Sequence, residues 1–118
     1  MRPLLLGLSI ALAAASAVTA APNVSPTAGW RRVDIAATNS YFFRYVPASL
    51  DTSRPAPVVL FLHGSGSKPF DYQGTVQDAA ESAGCIVALP KSDSSQGWGT
   101  GDDAQTIAET LRLLREET

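Results

Sequence analysis

The 118-residue sequence predicts an α/β fold, and three observations carry that expectation. First, Val58-Val59-Leu60-Phe61-Leu62 and Cys85-Ile86-Val87-Ala88-Leu89 are unbroken apolar runs, the pattern of strands covered on both faces in a parallel sheet. Second, Val76, Ala79, Ala80 and Ala83 follow the first run at helical spacing, with Gly84 where a C-terminal cap is expected. Third, the glycine-containing stretch from Gly64 to Ser67 separates the first strand from that helix. Strand, glycine loop, helix, strand is a βαβ unit.

The elements around that unit follow in order. Met1-Arg2 is a short positive start, Leu4 to Val18 is almost wholly apolar, and Val18 and Ala20 stand at −3 and −1 for cleavage after Ala20. Residues 1–20 therefore predict a secretory signal peptide and a secreted, extracellular or periplasmic protein. A retained anchor is the rival, but the apolar run is short of the roughly 20 residues a spanning helix needs, so no stable membrane span is expected after cleavage. No Cys follows the cleavage region, which argues against lipoprotein attachment. Residues 21–29, with their prolines and serine, predict a flexible spacer. Asn23-Val24-Ser25 fits a glycosylation sequon, relevant only to a eukaryotic secretory path, and Pro26 follows it.

Trp30 to Ile35 and Tyr41 to Val46 are rich in β-branched and aromatic residues and predict a hairpin around the turn-like Thr38-Asn39-Ser40. Pro47 to Pro57 has prolines and no periodicity, so it predicts a loop. Pro90 stops the fourth strand, and Lys91 to Gly101 predicts a polar loop around Trp98. Asp102 and Asp103 then open a last helix running to Glu117, where negative charge suits the N-terminal dipole. Its expected buried stripe is Ala104, Ile107, Leu111 and Leu114, with Leu113 off the stripe.

Composition bounds the function. Nine Lys and Arg against eleven Asp and Glu, without a basic run, exclude a nucleic-acid footprint. The single cysteine, Cys85, cannot form an internal disulfide, and its apolar neighbours predict a buried thiol rather than a bridge to a partner.

The residues with chemical content are His63-Gly64-Ser65-Gly66-Ser67, directly after the third strand. Acyl transfer passes through a tetrahedral oxyanion, and a backbone N–H aimed at that charge contributes about 3–4 kcal/mol. Glycines at a strand end let the backbone turn tightly and approach a substrate. The run therefore suits an oxyanion loop. A bland connection or a phosphate cradle are the rivals. Lys68 follows Ser67, but the glycine spacing of a P-loop fails, and Phe70 and Asp71 break the dinucleotide pattern. The adjacent Asp102 and Asp103 read as a solvated helix cap rather than a metal pair, so no metal and no cofactor are expected.

From Tyr41 to Glu117 the sequence resembles the N-terminal half of α/β-hydrolases, close to secreted polyhydroxybutyrate depolymerase-like, feruloyl-esterase-like and phospholipase/carboxylesterase-like enzymes. The resemblance lies in Arg44-Tyr45-Val46-Pro47, Pro57-Val58-Val59-Leu60-Phe61-Leu62-His63-Gly64, Leu89-Pro90, Trp98 and Asp102-Asp103. It implies a mixed sheet in the spatial order 1-2-4-3 with helices packed on it. It also implies an oxyanion hole built from the Ser65 backbone N–H, with Gly66 as the alternative. His63 and Gly64 would support that loop, and Trp98, Phe70 and Tyr72 are candidates to line a substrate pocket.

The family's nucleophile sits in a G-x-S-x-G elbow after a fifth strand, with the acid and the histidine later still. No serine here has glycine at both −2 and +2; the nearest approach, Gly7-Leu8-Ser9-Ile10-Ala11, lies inside the leader and is accidental. His63, the only histidine, has no nucleophile to activate in the family's order. Residues 30–118 thus read as a partial domain ending before the nucleophile strand, with no catalytic triad residue and no activity expected of this chain alone. The implied parent is a serine-dependent carboxylic ester hydrolase acting on a small or polymeric ester. A non-catalytic binding or interaction protein, or part of a serine peptidase of the same fold, are the alternatives. Without a fifth strand, Val58 to Leu62 becomes an exposed apolar edge, which predicts aggregation or oligomerisation.

Overall fold

The computed structural model describes residues 27–117; the expected leader, its cleavage point, the sequon and most of the spacer lie outside them. Four strands form one sheet: β1 (Gly29–Ile35), β2 (Ser40–Val46), β3 (Val58–Leu60) and β4 (Ile86–Pro90). The spatial order is β1-β2-β4-β3. The β1–β2 and β2–β4 pairs are antiparallel, and β3 runs parallel to β4. Helix α1 (Gln73–Ala83) supplies the crossover between the parallel strands, and α2 (Asp103–Glu117) closes the described chain. The α/β class and the 1-2-4-3 order are those the sequence predicts.

Strand alternation divides the core into two layers. Phe42 and Val46 of β2, Ile86 and Ala88 of β4 and Ile35 of β1 pack with Leu114 of α2. On the other face Tyr45, Val87 and Leu89 pack with Val76 and Ala80 of α1. β4 is the centre of the molecule, with all five of its residues buried. Asn39 accepts a left-handed conformation to close the β1–β2 hairpin after a short 3-10 turn over Ala36–Thr38. Gly84 does the same past α1, and its N–H donates to Ala80 O at 2.8 Å.

Arg44 alternates onto the α2 face and is 1% exposed. Burial of a guanidinium is tolerable only if its donors are satisfied. Here they are, with Nε and Nη2 each 2.8 Å from the two oxygens of Glu117 and Nη1 donating to the Thr27 and Gly29 carbonyls. This fork ties the C-terminal end of α2 to the start of β1.

Three expectations are corrected. The third strand stops at Leu60, although the Phe61 N–H still donates to Ala88 O at 2.9 Å. The chain then leaves the ladder, carrying His63 inward and Leu62 outward. In α1 only Val76 and Ala80 are buried, while Ala79 and Ala83 are exposed. In α2 the buried face is Asp103, Thr106, Thr110 and Leu114, not the expected stripe: Ala104 and Leu111 are exposed and Leu113 packs against the core. The reason is polar pairing. Thr106 Oγ1 donates to Thr38 Oγ1 at 2.9 Å, and Thr110 Oγ1 donates back to Thr106 O at 2.8 Å. With their hydroxyls satisfied, both threonines bury as small β-branched residues.

Candidate functional site

Residues 64–67 form a tight turn beyond β3, closed by the Ser67 N–H donating to Gly64 O at 3.0 Å. Gly66 sits at φ +80° in its third position, and Asn39 is the only non-glycine with positive φ among the described residues. That combination is a type II turn, which requires glycine where Gly66 stands. Ser67 Oγ also donates to Gly64 O, and Tyr72 stands against the turn, its hydroxyl 2.9 Å from Ser67 Oγ and 3.4 Å from Gly64 N. The turn's own shape is therefore held locally.

Its placement depends on the loop after β4. The Gly66 N–H donates to Ser95 O at 2.6 Å, and Ser65 Oγ donates to Gln96 O at 2.8 Å. Trp98 Nε1 donates to His63 O at 2.9 Å, with the indole and imidazole centroids 5.0 Å apart. The Ser92 N–H donates to His63 Nε2 at 3.2 Å, and His63 Nδ1 is 3.1 Å from Gly64 O. That pattern assigns the imidazole proton to Nδ1, since Nε2 is the acceptor. His63 is thus a buried bolt between the two loops, 3% exposed.

Asp103 organises the second loop. Its Oδ1 accepts from the Asp93 N–H at 2.6 Å, and its Oδ2 accepts from Gly99 and Thr100 at 2.8 and 3.1 Å. Burial alone pushes this carboxyl up, but the N–H groups of Asp93, Thr100 and Gly99 outweigh it and hold it below its ordinary value. Asp102 is exposed, as a solvated cap would be. Asp103 is 2% exposed and is no solvated cap, because its carboxylate turns back onto the loop. Gly101 lets Asp93 lie close: a Cβ there would overlap the Asp93 carboxylate, and φ is +53°.

Of the two expected donors, the Gly66 N–H is taken up by the Ser95 carbonyl. The Ser65 N–H has no partner among the described residues, and Ser65 itself is exposed. Tyr72 and Trp98 adjoin the turn. Phe70 does not; it packs against Trp30 and Phe43, with ring centroids 5.3 and 4.6 Å away, and is 41% exposed. Sequence reasoning missed Ser92, Ser95, Gln96 and the inward turn of Asp103. A run of small polar residues directly after a buried strand is the one sequence signal that bears on them.

Ser92 Oγ lies 3.1 Å from His63 Nε2, the spacing of a nucleophile and its base. The rest of the arrangement defeats that chemistry. Ser92 is 1% exposed, its hydroxyl donates to Ser94 O at 2.5 Å, and Nδ1 of His63 meets a carbonyl instead of a carboxylate. No group of three or more His, Cys, Asp or Glu among the described residues could hold a metal ion. A cavity of about 210 Å³ lies elsewhere, against α2, lined by Arg31, Val33, Phe42, Leu113, Glu116 and Glu117. Its ionic groups are already paired, Arg31 and Arg44 with Glu117 and Arg112 with Glu116. No helix among the described residues is long and apolar enough to cross a membrane.

No protein-family model matches the chain, and no curated protein sequence matches it. Among solved structures it is similar to an acetyl xylan esterase from Aspergillus awamori, at 26% identity and a TM-score of 0.49. The similarity covers 58% of this chain and 26% of that one, so the chain spans about a quarter of the enzyme's length.

Proposed function

We propose that this chain carries the oxyanion-hole portion of a serine-dependent carboxylic ester hydrolase of the α/β-hydrolase kind, exported by residues 1–20. The observation that carries the reading is the Ser65 N–H: a backbone donor with no partner among the described residues, in a hydrogen-bonded turn at the C-terminal end of a parallel strand. Open α/β sheets bind ligands at that end of their strands. A fixed donor there stabilises charge developing on a carbonyl oxygen without reorganising during the reaction. Attack on the ester carbon by a serine hydroxyl, deprotonated by a histidine, would place the oxyanion against this N–H. Nucleophile, acid and base would come from sequence other than these residues, because no G-x-S-x-G elbow lies among residues 27–118.

A second reading, a non-catalytic interaction protein, draws on a separate observation. The β3 edge exposes Val58 and Val59 by 38% and 47%, with Leu62 just past the strand at 42%, which suits strand pairing with another chain. Reading the gene past codon 118 separates the two. An in-frame G-x-S-x-G followed by Asp and His is expected. An in-frame stop, together with p-nitrophenyl acetate hydrolysis no faster than by denatured chain, would replace the hydrolase reading with the second.

A further inference from the structure

We infer that Asp103 is the positioning residue of the Ser65–Gly66 turn: its buried carboxylate fixes the loop after β4, and that loop clamps the turn. The inference deepens the hydrolase reading, on which it rests for what the turn is for, and the clamp itself stands on geometry alone.

The internal bonds of the turn, Ser67 to Gly64 and Tyr72 to both, define its shape but not where it sits. Position comes from the Ser95 and Gln96 carbonyls, which take the Gly66 N–H and the Ser65 hydroxyl. Those carbonyls belong to a segment without a regular ladder. Gly97, Gly99 and Gly101 all have positive φ there, and one isolated bridge joins Ser94 to Gly97. Such a segment needs an external scaffold, because ordering its residues costs backbone entropy that no ladder of its own offsets. Asp103 supplies it from the first turn of α2, a helix held at its far end by the Arg44–Glu117 fork. One carboxylate accepts N–H groups on both sides of Ser95 and Gln96, from Asp93 before them and from Gly99 and Thr100 after them. The 94–98 segment is thereby closed into a stapled loop whose tip presses on Gly66. By taking up the Gly66 donor and the Ser65 hydroxyl, it leaves the Ser65 N–H as the one polar hydrogen of the pair without a partner among the described residues. Asp103 touches no substrate in this scheme; it acts through the loop.

Amide hydrogen exchange on the full chain tests this, with and without Asp103→Asn, and needs no substrate. In the unsubstituted chain the Gly66, Gly99 and Asp93 amides are expected to open together, with protection agreeing within about threefold. Asp103→Asn replaces one acceptor oxygen by a donor and is expected to speed Gly66 exchange by about tenfold or more. The Gly84 and Phe61 amides, held by α1 and β4, should not change. A residue serving general stability alone would move all of them. Gly66 protection that survives the substitution overturns the inference. So does independent opening of Gly66 and Gly99 in the unsubstituted chain, a result that decides the matter even if the variant fails to fold. Failure of the ester-hydrolase reading leaves these rates untouched, and failure here leaves that reading standing.

Discussion

At the scale of single residues, Ser65 and Gly66 are equivalent in the sequence and different in the structure. What separates them is the Ser95 carbonyl, which takes the Gly66 N–H from about thirty residues further along. No local pattern encodes such a contact, so the preference for Ser65 over Gly66 came from the family resemblance and not from the residues of the loop themselves. Asp103 was obscured for a related reason. Two adjacent acids at a helix start announce a cap, but not which of them turns inward. The inward acid gives a pH signature. Its carboxyl is held below its ordinary value by the N–H groups it accepts, despite its burial. A depressed carboxylate contributes stability above its unfolded value of about 4, and that contribution is lost as pH falls through the lower folded value. Acid should therefore release the loop that holds Trp98. Exchange of the Trp98 indole proton, bonded to His63 O, is expected to accelerate below about pH 4. The Trp30 indole, bonded to the neutral Gln77 side chain, is the internal reference and should not follow it. Parallel acceleration of both indoles would mean global unfolding and contradict the local account.

Elements were more legible than their faces. The strand–loop–helix–strand unit, the hairpin and the last helix all follow from apolar runs, turn residues and Gly84. The spatial order of the strands came instead from the family resemblance. The orientation of α2 did not, because the pattern that defines a stripe scores threonine as polar. Thr106 and Thr110 bury by bonding their hydroxyls to Thr38 and to the helix backbone, and this rolls Leu111 outward. Two alanine substitutions distinguish the faces. Leu114→Ala, at a side chain 2% exposed, should cost about 2–4 kcal/mol of unfolding free energy. Leu111→Ala, at 38% exposure, should cost less than about 1 kcal/mol. Denaturant melts of both variants provide the check, and equal losses would restore the stripe expected from sequence. The same reasoning covers β3. Its uniform apolarity suits a strand covered on both sides, yet it lies at the sheet edge with Val58 and Val59 open.

At the scale of the molecule, that edge is the least satisfied feature. It has neither a charge nor a proline within Val58 to Leu62, the usual protections against pairing with another chain. Self-association is the expected consequence. Leu60 is packed against the core, so a lysine there would trade solubility against folding. Val59, the most exposed of the run, is the better probe. Val59→Lys should shift sedimentation from oligomer towards monomer while changing stability by about 0.5 kcal/mol or less. An unsubstituted chain that sediments as monomer at every concentration would contradict the edge account.

The central claim is that the Ser65 backbone N–H, not its hydroxyl, is the chemical group of this chain. The second position of a type II turn accommodates proline, so Ser65→Pro removes that N–H without opposing the turn. Ser65→Ala removes only the hydroxyl and its bond to Gln96 O. The direct measurement is steady-state hydrolysis of p-nitrophenyl acetate by the product of the complete reading frame, with each substitution in turn. Ser65→Pro is predicted to lower kcat by about 10²–10³ with KM little changed, and Ser65→Ala to leave kcat within about threefold. Equal rates in both variants, or a loss of activity in Ser65→Ala as large as in Ser65→Pro, would contradict it.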